Sequence, residues 1–184
     1  MARPFIVIIS FLFLLTSFGQ SSEPSLQLKV REALKKMFGD SVAIATKSFI
    51  LTEHDKEAIF QHSKSRWAND TVVVYLCRGG KRNVGFGFVD NVKGKVQFIT
   101  YLVGVQADGT VQDVDVLAYR ESYGGEVAYE SFRKQFRGKT SHDALQPGGD
   151  IKNISGATIS VRAITNGTKR ILATFDLLKS RLAQ

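Results

Sequence analysis

A single cysteine, three histidines and one tryptophan stand among the 184 residues of this sequence. One cysteine, Cys77, admits no intrachain disulfide, and it cannot make up a structural zinc set or a Cys-x-x-Cys-His haem site. It reads as a small buried residue within Val72-Val73-Val74-Tyr75-Leu76-Cys77. His54, His62 and His142 share no motif, so a histidine metal site is not expected. Hydrolytic machinery is missing as well: there is no nucleophile elbow, zinc motif or convincing triad. Gly85-x-Gly87 lacks the third glycine and following helix of a dinucleotide fingerprint, and Arg133 stands where a Walker A loop ending in Gly138-Lys139-Thr140 needs glycine. Charge is unequal, with 25 Lys and Arg against 17 Asp and Glu for a net +8. The basic residues are spread along the chain without a helix-turn-helix or RNA-binding signature, so nucleic acid is not the expected partner. The excess reads as solubility with attraction to anionic lipid or acidic partners.

Met1-Ala2-Arg3 precedes an apolar run over residues 5–18, broken only by Ser10, Thr16 and Ser17, with a small-residue exit at Ser17-Phe18-Gly19. The run is shorter than the ~20 residues that span a bilayer. It predicts a secretory signal peptide over 1–19, cut after Gly19, with retention as a membrane anchor through 5–18 as the alternative. Either outcome implies a periplasmic or extracellular protein. No cysteine follows, which removes the lipoprotein route. The remainder divides into an N-terminal helical and strand region over 20–69 and a domain over 70–184.

Leu26, Val30, Ala33, Leu34 and Met37 recur at helical spacing over 24–38, with Gly39 as the stop. Residues 41–51 read as a strand, and Thr52 caps a short helix. Three strands over 71–77, 84–89 and 96–105, separated by glycine-containing turns, predict an antiparallel meander, with Gly85-x-Gly87 as a bulge or a close packing. A fourth strand over 110–118 alternates Val114 and Val116 with Asp113 and Asp115, two aspartates expected to be solvated. A short helix is expected over 127–136. Val161, Ile164, Thr168, Ile171, Leu172, Phe175, Leu178 and Leu182 then mark a long amphipathic helix, with Lys169, Arg170, Lys179 and Arg181 at its polar positions. The expected fold class is α+β: a mostly antiparallel sheet packed by an N-terminal helical region and a long C-terminal helix.

Two stretches hold more polar chemistry than a connection needs. Tyr119-Arg120-Glu121-Ser122-Tyr123-Gly124-Gly125-Glu126 compresses two tyrosines, two glutamates, an arginine and paired glycines into one loop. Asp150-Ile151-Lys152-Asn153-Ile154-Ser155-Gly156-Ala157-Thr158 gathers N–H groups and hydroxyls where the long helix begins. The first turn of a helix leaves its N–H groups unpaired and carries about half a positive charge, which favours a phosphate, although a simple cap is the plainer reading. Gly156 allows close backbone approach to a ligand.

Ser155-Gly156-Ala157-Thr158, flanked by Ile154 and Ile159-Ser160, resembles the signature of the FMN-binding domain family. That family includes the covalent-flavin subunits of the Na+-translocating NADH:quinone reductase and of the Rnf electron-transport complex. The loop Tyr119 to Val127, and Phe132-Arg133-Lys134-Gln135-Phe136-Arg137-Gly138-Lys139 after it, resemble two further family blocks in the same order. The resemblance implies an FMN-binding electron-transfer protein whose FMN is esterified through its phosphate to Thr158 by a separate flavin transferase, with a membrane or periplasmic redox partner. It implies that Tyr119 or Tyr123 packs on the ring, that Gly124 and Gly125 approach it, and that Glu121 or Glu126 bonds a polar edge. Lys152 stands where the family motif carries Asp three residues before its Ser. A lysine there can pair with a phosphate as a non-covalent contact. A reversible flavin binder and a flavin-free envelope interaction domain are the alternative readings.

Overall fold

The computed structural model describes residues 25–182; the expected leader over 1–19 lies outside them. Helix α1 (Leu26–Phe38) starts where the Ser25 side chain accepts the Leu28 N–H, and it ends at Gly39 with φ +102°, a conformation glycine adopts without strain. Strand β1 (Ala43–Ile50) leads to α2 (Glu53–Ser63), whose start is a capping box. Thr52 Oγ1 accepts the Asp55 N–H at 3.1 Å and the Asp55 carboxylate accepts the Thr52 N–H at 2.9 Å. Those bonds, led by the one from the Thr52 N–H, hold the Asp55 carboxyl below its ordinary pKa.

Four further strands follow: β2 (Thr71–Gly79), β3 (Arg82–Lys93), β4 (Phe98–Gln106) and β5 (Val111–Ala118). They form with β1 one five-stranded sheet in the order β1-β2-β3-β4-β5, every pairing antiparallel. This is the expected meander. One face packs Val74, Leu76, Phe86, Phe88, Val103, Val105 and Val114 against α2 and the long helix α4 (Thr158–Leu182). Phe86 and Phe175 meet there with ring centroids 5.4 Å apart. The opposite face presents Tyr75, Cys77, Leu102 and Leu117 to Val30, Ala33 and Leu34 of α1. The sheet is therefore a middle layer between helices, and β1 and α1 share its core.

Glycines set the depth at which α1 lies. Gly87 pairs with Gly104 across β3 and β4, and Gly85 lies two residues along. A Cβ on Gly87 would meet Leu34 at 2.7 Å and one on Gly104 would meet the Met37 sulfur at 2.6 Å, while Phe38 fills the space over Gly85. Gly85-x-Gly87 is thus a close packing.

Three expectations change. The helix over 127–136 is broken into a 3-10 turn (Gly125–Ala128), a single α-turn, α3 (Glu130–Arg133), and a second 3-10 turn (Lys134–Phe136), although Val127, Phe132 and Phe136 are buried as expected. Asp113 and Asp115 are ion-paired, with Arg137 at 2.8 Å and Arg133 at 3.0 Å, because that segment folds back over β5. Arg170 is buried, ion-paired to Asp90 with its guanidinium 4.7 Å from the Trp67 ring, and it donates to the Arg66 carbonyl at 2.7 Å. His62 plays a packing part, its Nε2 lying 2.8 Å from the Ser141 carbonyl oxygen.

Candidate functional site

The site is assembled from three connections. The loop before α4 is stapled by Asp150, whose carboxylate accepts the Gln146 N–H at 2.7 Å and the Leu145 N–H at 3.2 Å and pairs with Lys139 at 2.9 Å. Burial pushes the Asp150 carboxyl up, but these donors together hold it below its ordinary value. Lys139 is correspondingly raised, first by its bond to Asp150. From that staple the chain runs to Gly156, at φ +82° with nothing near its missing Cβ. The Ala157 N–H closes the turn on the Ile154 carbonyl at 3.0 Å, and the first amide bonded back along the helix is that of Val161, to Ala157, at 2.9 Å. Ala157 has no side-chain oxygen with which to cap the N–H groups of Thr158, Ile159 and Ser160; Thr158 and Ile159 are exposed and Ser160 is buried.

The second connection is the 119–126 loop. The Tyr119 hydroxyl donates to the Tyr123 carbonyl at 2.5 Å and lies 3.0 Å from Ser160 Oγ, pinning the loop to the first turn of α4. Gly124, at φ +87°, passes so close beneath that a Cβ would sit 2.6 Å from that hydroxyl. The third connection is the β3–β4 turn. The Glu121 carboxylate accepts the N–H groups of Val96 at 3.1 Å and Gln97 at 3.3 Å, drawing the turn toward the loop.

Between these connections lies a cleft of about 770 Å³, within the range of small-molecule sites. The helix start supplies one wall from Gly156 to Ser160, the loop a second from Arg120 to Tyr123, and the hairpin a third from Lys95 to Gln97. Val96, Tyr123 and Ile159 make it apolar enough for a planar ring. Lys95, Arg120 and the positive end of α4 supply the charge an attached phosphate needs. These residues suit a flavin mononucleotide.

Of the residues expected at a site, Thr158, Gly156, Ala157, Glu121 and Tyr123 line the cleft. Ser155 is exposed in the adjoining turn, and Gly124 is buried behind the loop wall. Tyr119 lies behind the wall too, holding the loop through its hydroxyl. Gly125 and Glu126 open the following 3-10 turn away from the cleft lining. Lys152 lines a separate hollow with Gln135 and Asn153, its N–H donated to the Gln135 side chain at 2.8 Å. Sequence reasoning missed Lys95, Val96, Gln97, Arg120, Ser122, Ile159 and Ser160 as lining residues. Ile159 carried a signal: it is a large apolar residue off the buried stripe of α4, and it is 51 % exposed.

Residues 94–173 match the family model described as FMN-binding domain. A subunit of the proton-translocating ferredoxin:NAD(+) oxidoreductase complex of Clostridium ljungdahlii is 33% identical over 103 residues, covering 52% of this chain and 55% of that protein. A subunit of the Na(+)-translocating ferredoxin:NAD(+) oxidoreductase complex of Acetobacterium woodii is 25% identical over 137 residues, covering 67% of this chain and 65% of its own length. The chain thus spans less than two thirds of either relative. In fold it is similar to the crystal structure of Shewanella oneidensis NqrC, with a TM-score of 0.58 at 14% identity over 84% of this chain and 98% of the other. The matched segment encloses every residue that lines the cleft, so this part of the chain is similar to an FMN-binding domain, and the comparisons support FMN as its cofactor.

Proposed function

We propose that the protein is an extracytoplasmic electron-transfer subunit whose FMN is attached by a phosphoester to Thr158. The observation that carries this reading is the place of Thr158: exposed, first in α4, and on the wall of a cleft that combines a helix start, two cations and apolar side chains. FMN supplies reversible electron acceptance and donation, and the chain's own part is to bind, orient and shield it. The helix start and the side chains of Lys95 and Arg120 balance the phosphate charge. Ile159, Val96 and Tyr123 exclude water from the ring, and Glu121 keeps the hairpin wall in place. No general acid or base of the chain is required.

Attachment would form a bond between Thr158 Oγ1 and the FMN phosphorus of FAD and break the pyrophosphate link, with AMP leaving and the hydroxyl proton passing to a flavin transferase. The two relatives named for ion-translocating redox complexes support a membrane redox partner, and the apolar run at 5–18 supports delivery outside the cytoplasm. Among the described residues no helix is long and apolar enough to cross a membrane. Lys152 favours a second reading, reversible FMN binding, because the acid of the attachment motif is absent at that position.

Expression of the full chain with a secreted flavin transferase separates the two. Covalent attachment predicts flavin fluorescence on a denaturing gel and an intact mass raised by FMN, both abolished in Thr158→Ala. A protein that is yellow when folded and dark after denaturation would establish reversible binding. A covalent adduct surviving in Thr158→Ala would sink the assignment of Thr158.

A further inference from the structure

The tip of the β3–β4 hairpin carries exposed side chains that the core does not use: Lys95 and Val96 stand at the mouth of the cleft, and Lys93 and Phe98 beside a second hollow. Lys93, Lys95, Val96 and Phe98 are all exposed, Val96 by 62% and Phe98 by 52%. Tyr123 and Ile159, exposed by 86% and 51%, continue this surface around the cleft mouth, which they line together with Val96. Arg162 is exposed on the helical turn after Ile159. Glu121 is the only carboxylate among the residues lining the cleft, and its oxygen is engaged by the Val96 and Gln97 N–H groups. Lys93 Nζ donates to the Val96 carbonyl oxygen at 2.5 Å and lies 5.2 Å from the Phe98 ring.

Large apolar side chains scattered singly over a surface are ordinary, but several projecting together among cations need a partner. The apolar tips of Val96, Tyr123 and Ile159 stand at the mouth of the cleft, exposed to solvent. Lysines can extend their amines to phosphate headgroups while neighbouring apolar tips enter the upper acyl layer, and aromatic residues favour that interface. We propose that this rim, formed by Lys93, Lys95, Val96, Phe98, Tyr123 and Ile159, docks on an anionic lipid surface. The docking itself requires no flavin. Its consequence, that the cleft opens toward the membrane where a redox partner resides, rests on the function proposed above.

The test uses the full chain. The apolar run at 5–18 would partition into any bilayer, so the readout must be local. Val96→Cys labelled with an environment-sensitive fluorophore provides it, because burial pushes the Cys77 thiol up to about 11 and leaves it unreactive at neutral pH. Vesicles of phosphatidylcholine containing about one third phosphatidylglycerol should shift the label emission to the blue; pure phosphatidylcholine vesicles should not. A label at Lys81→Cys, in the β2–β3 turn, should remain water-like. Adding Lys93→Glu and Lys95→Glu should weaken the shift by at least about 25-fold in lipid concentration, because losing each lysine is worth about fivefold and each glutamate adds repulsion. Water-like emission at position 96 on the anionic vesicles, or a shift that survives the charge reversals, overturns the proposal. A shift produced only by added poly-glutamate overturns it in favour of an acidic protein surface. Because Val96 and Lys95 belong to the cleft, flavin is read on the unlabelled parent chain: a dark gel there with the lipid shift retained at position 96 sinks the flavin reading alone, and the reverse sinks the docking alone.

Discussion

Tyr119 governs the cleft without lining it. Its hydroxyl joins the Tyr123 carbonyl to the Ser160 side chain, so the loop wall and the helix start hold one spacing. Tyr119→Phe should cost about 1 kcal/mol in urea unfolding, through two lost hydrogen bonds, one of them at an exposed carbonyl that water can re-bond. Gly124→Ala should cost about 1–3 kcal/mol, since alanine is strained at φ +87° and its Cβ meets the same hydroxyl. Combining the two should give less than their sum, because removing the hydroxyl relieves the contact and leaves only the backbone strain. Full additivity would mean that the hydroxyl and the Gly124 backbone do not share this space. Cys77 offers a second residue-level check. Burial raises its pKa from about 9 to about 11. The folded state therefore disfavours the thiolate, so the thiol's share of stability is intact below about pH 9 and is lost as pH climbs through 11. Urea titrations at pH 8 and pH 11 should show a larger alkaline loss in the parent than in Cys77→Val; equal losses would remove the thiol from the account.

At the scale of elements, α4 is positioned by contacts that a helix would ordinarily avoid. Gly167 lies in its middle, where the Tyr101 hydroxyl fills the space of a Cβ and Val92 Cγ1 would lie at 2.9 Å. That hydroxyl donates to Asp90, the partner of Arg170. Alanine at an open helix position gains up to about 1 kcal/mol over glycine. Here Gly167→Ala should instead lower stability by about 1–3 kcal/mol through overpacking, a reversal that thermal unfolding would detect at once. The same helix marks the reach of sequence reading. Its stripe of Val161, Ile164, Ile171 and Leu178 was legible because periodicity is local, as were the strands and the Thr52 cap. Burial of Arg170 was not, because its partner lies 80 residues earlier on β3. The attachment turn was visible because Ser155, Gly156 and Thr158 are adjacent in the chain. The hairpin wall was invisible because Val96 reaches the cleft only through strand register and the Glu121 bonds.

For the whole molecule, the layered arrangement explains why the cleft forms at the start of α4. Helix α1 sinks into the glycines of β3 and β4 and closes the far face, while α4 crosses the near face and brings its start to the end of the sheet where the β3–β4 turn and the β5 loop emerge. Net charge alone would not have located this end; the cations matter there because Lys95 and Arg120 meet a helix start.

The meander has a temporal meaning as well. Each strand pairs with the one before it, so the sheet can close by successive neighbouring hairpins as the chain lengthens. The cleft cannot close that way. Its hairpin and loop walls precede α4, and its third wall is the beginning of α4, which is steadied only when Phe175, Leu178 and Leu182 have packed much farther along. On the function proposed above, cofactor loading should therefore follow completion of the fold, and a chain truncated before Phe175 should take up no FMN; uptake by that truncated chain would overturn this order.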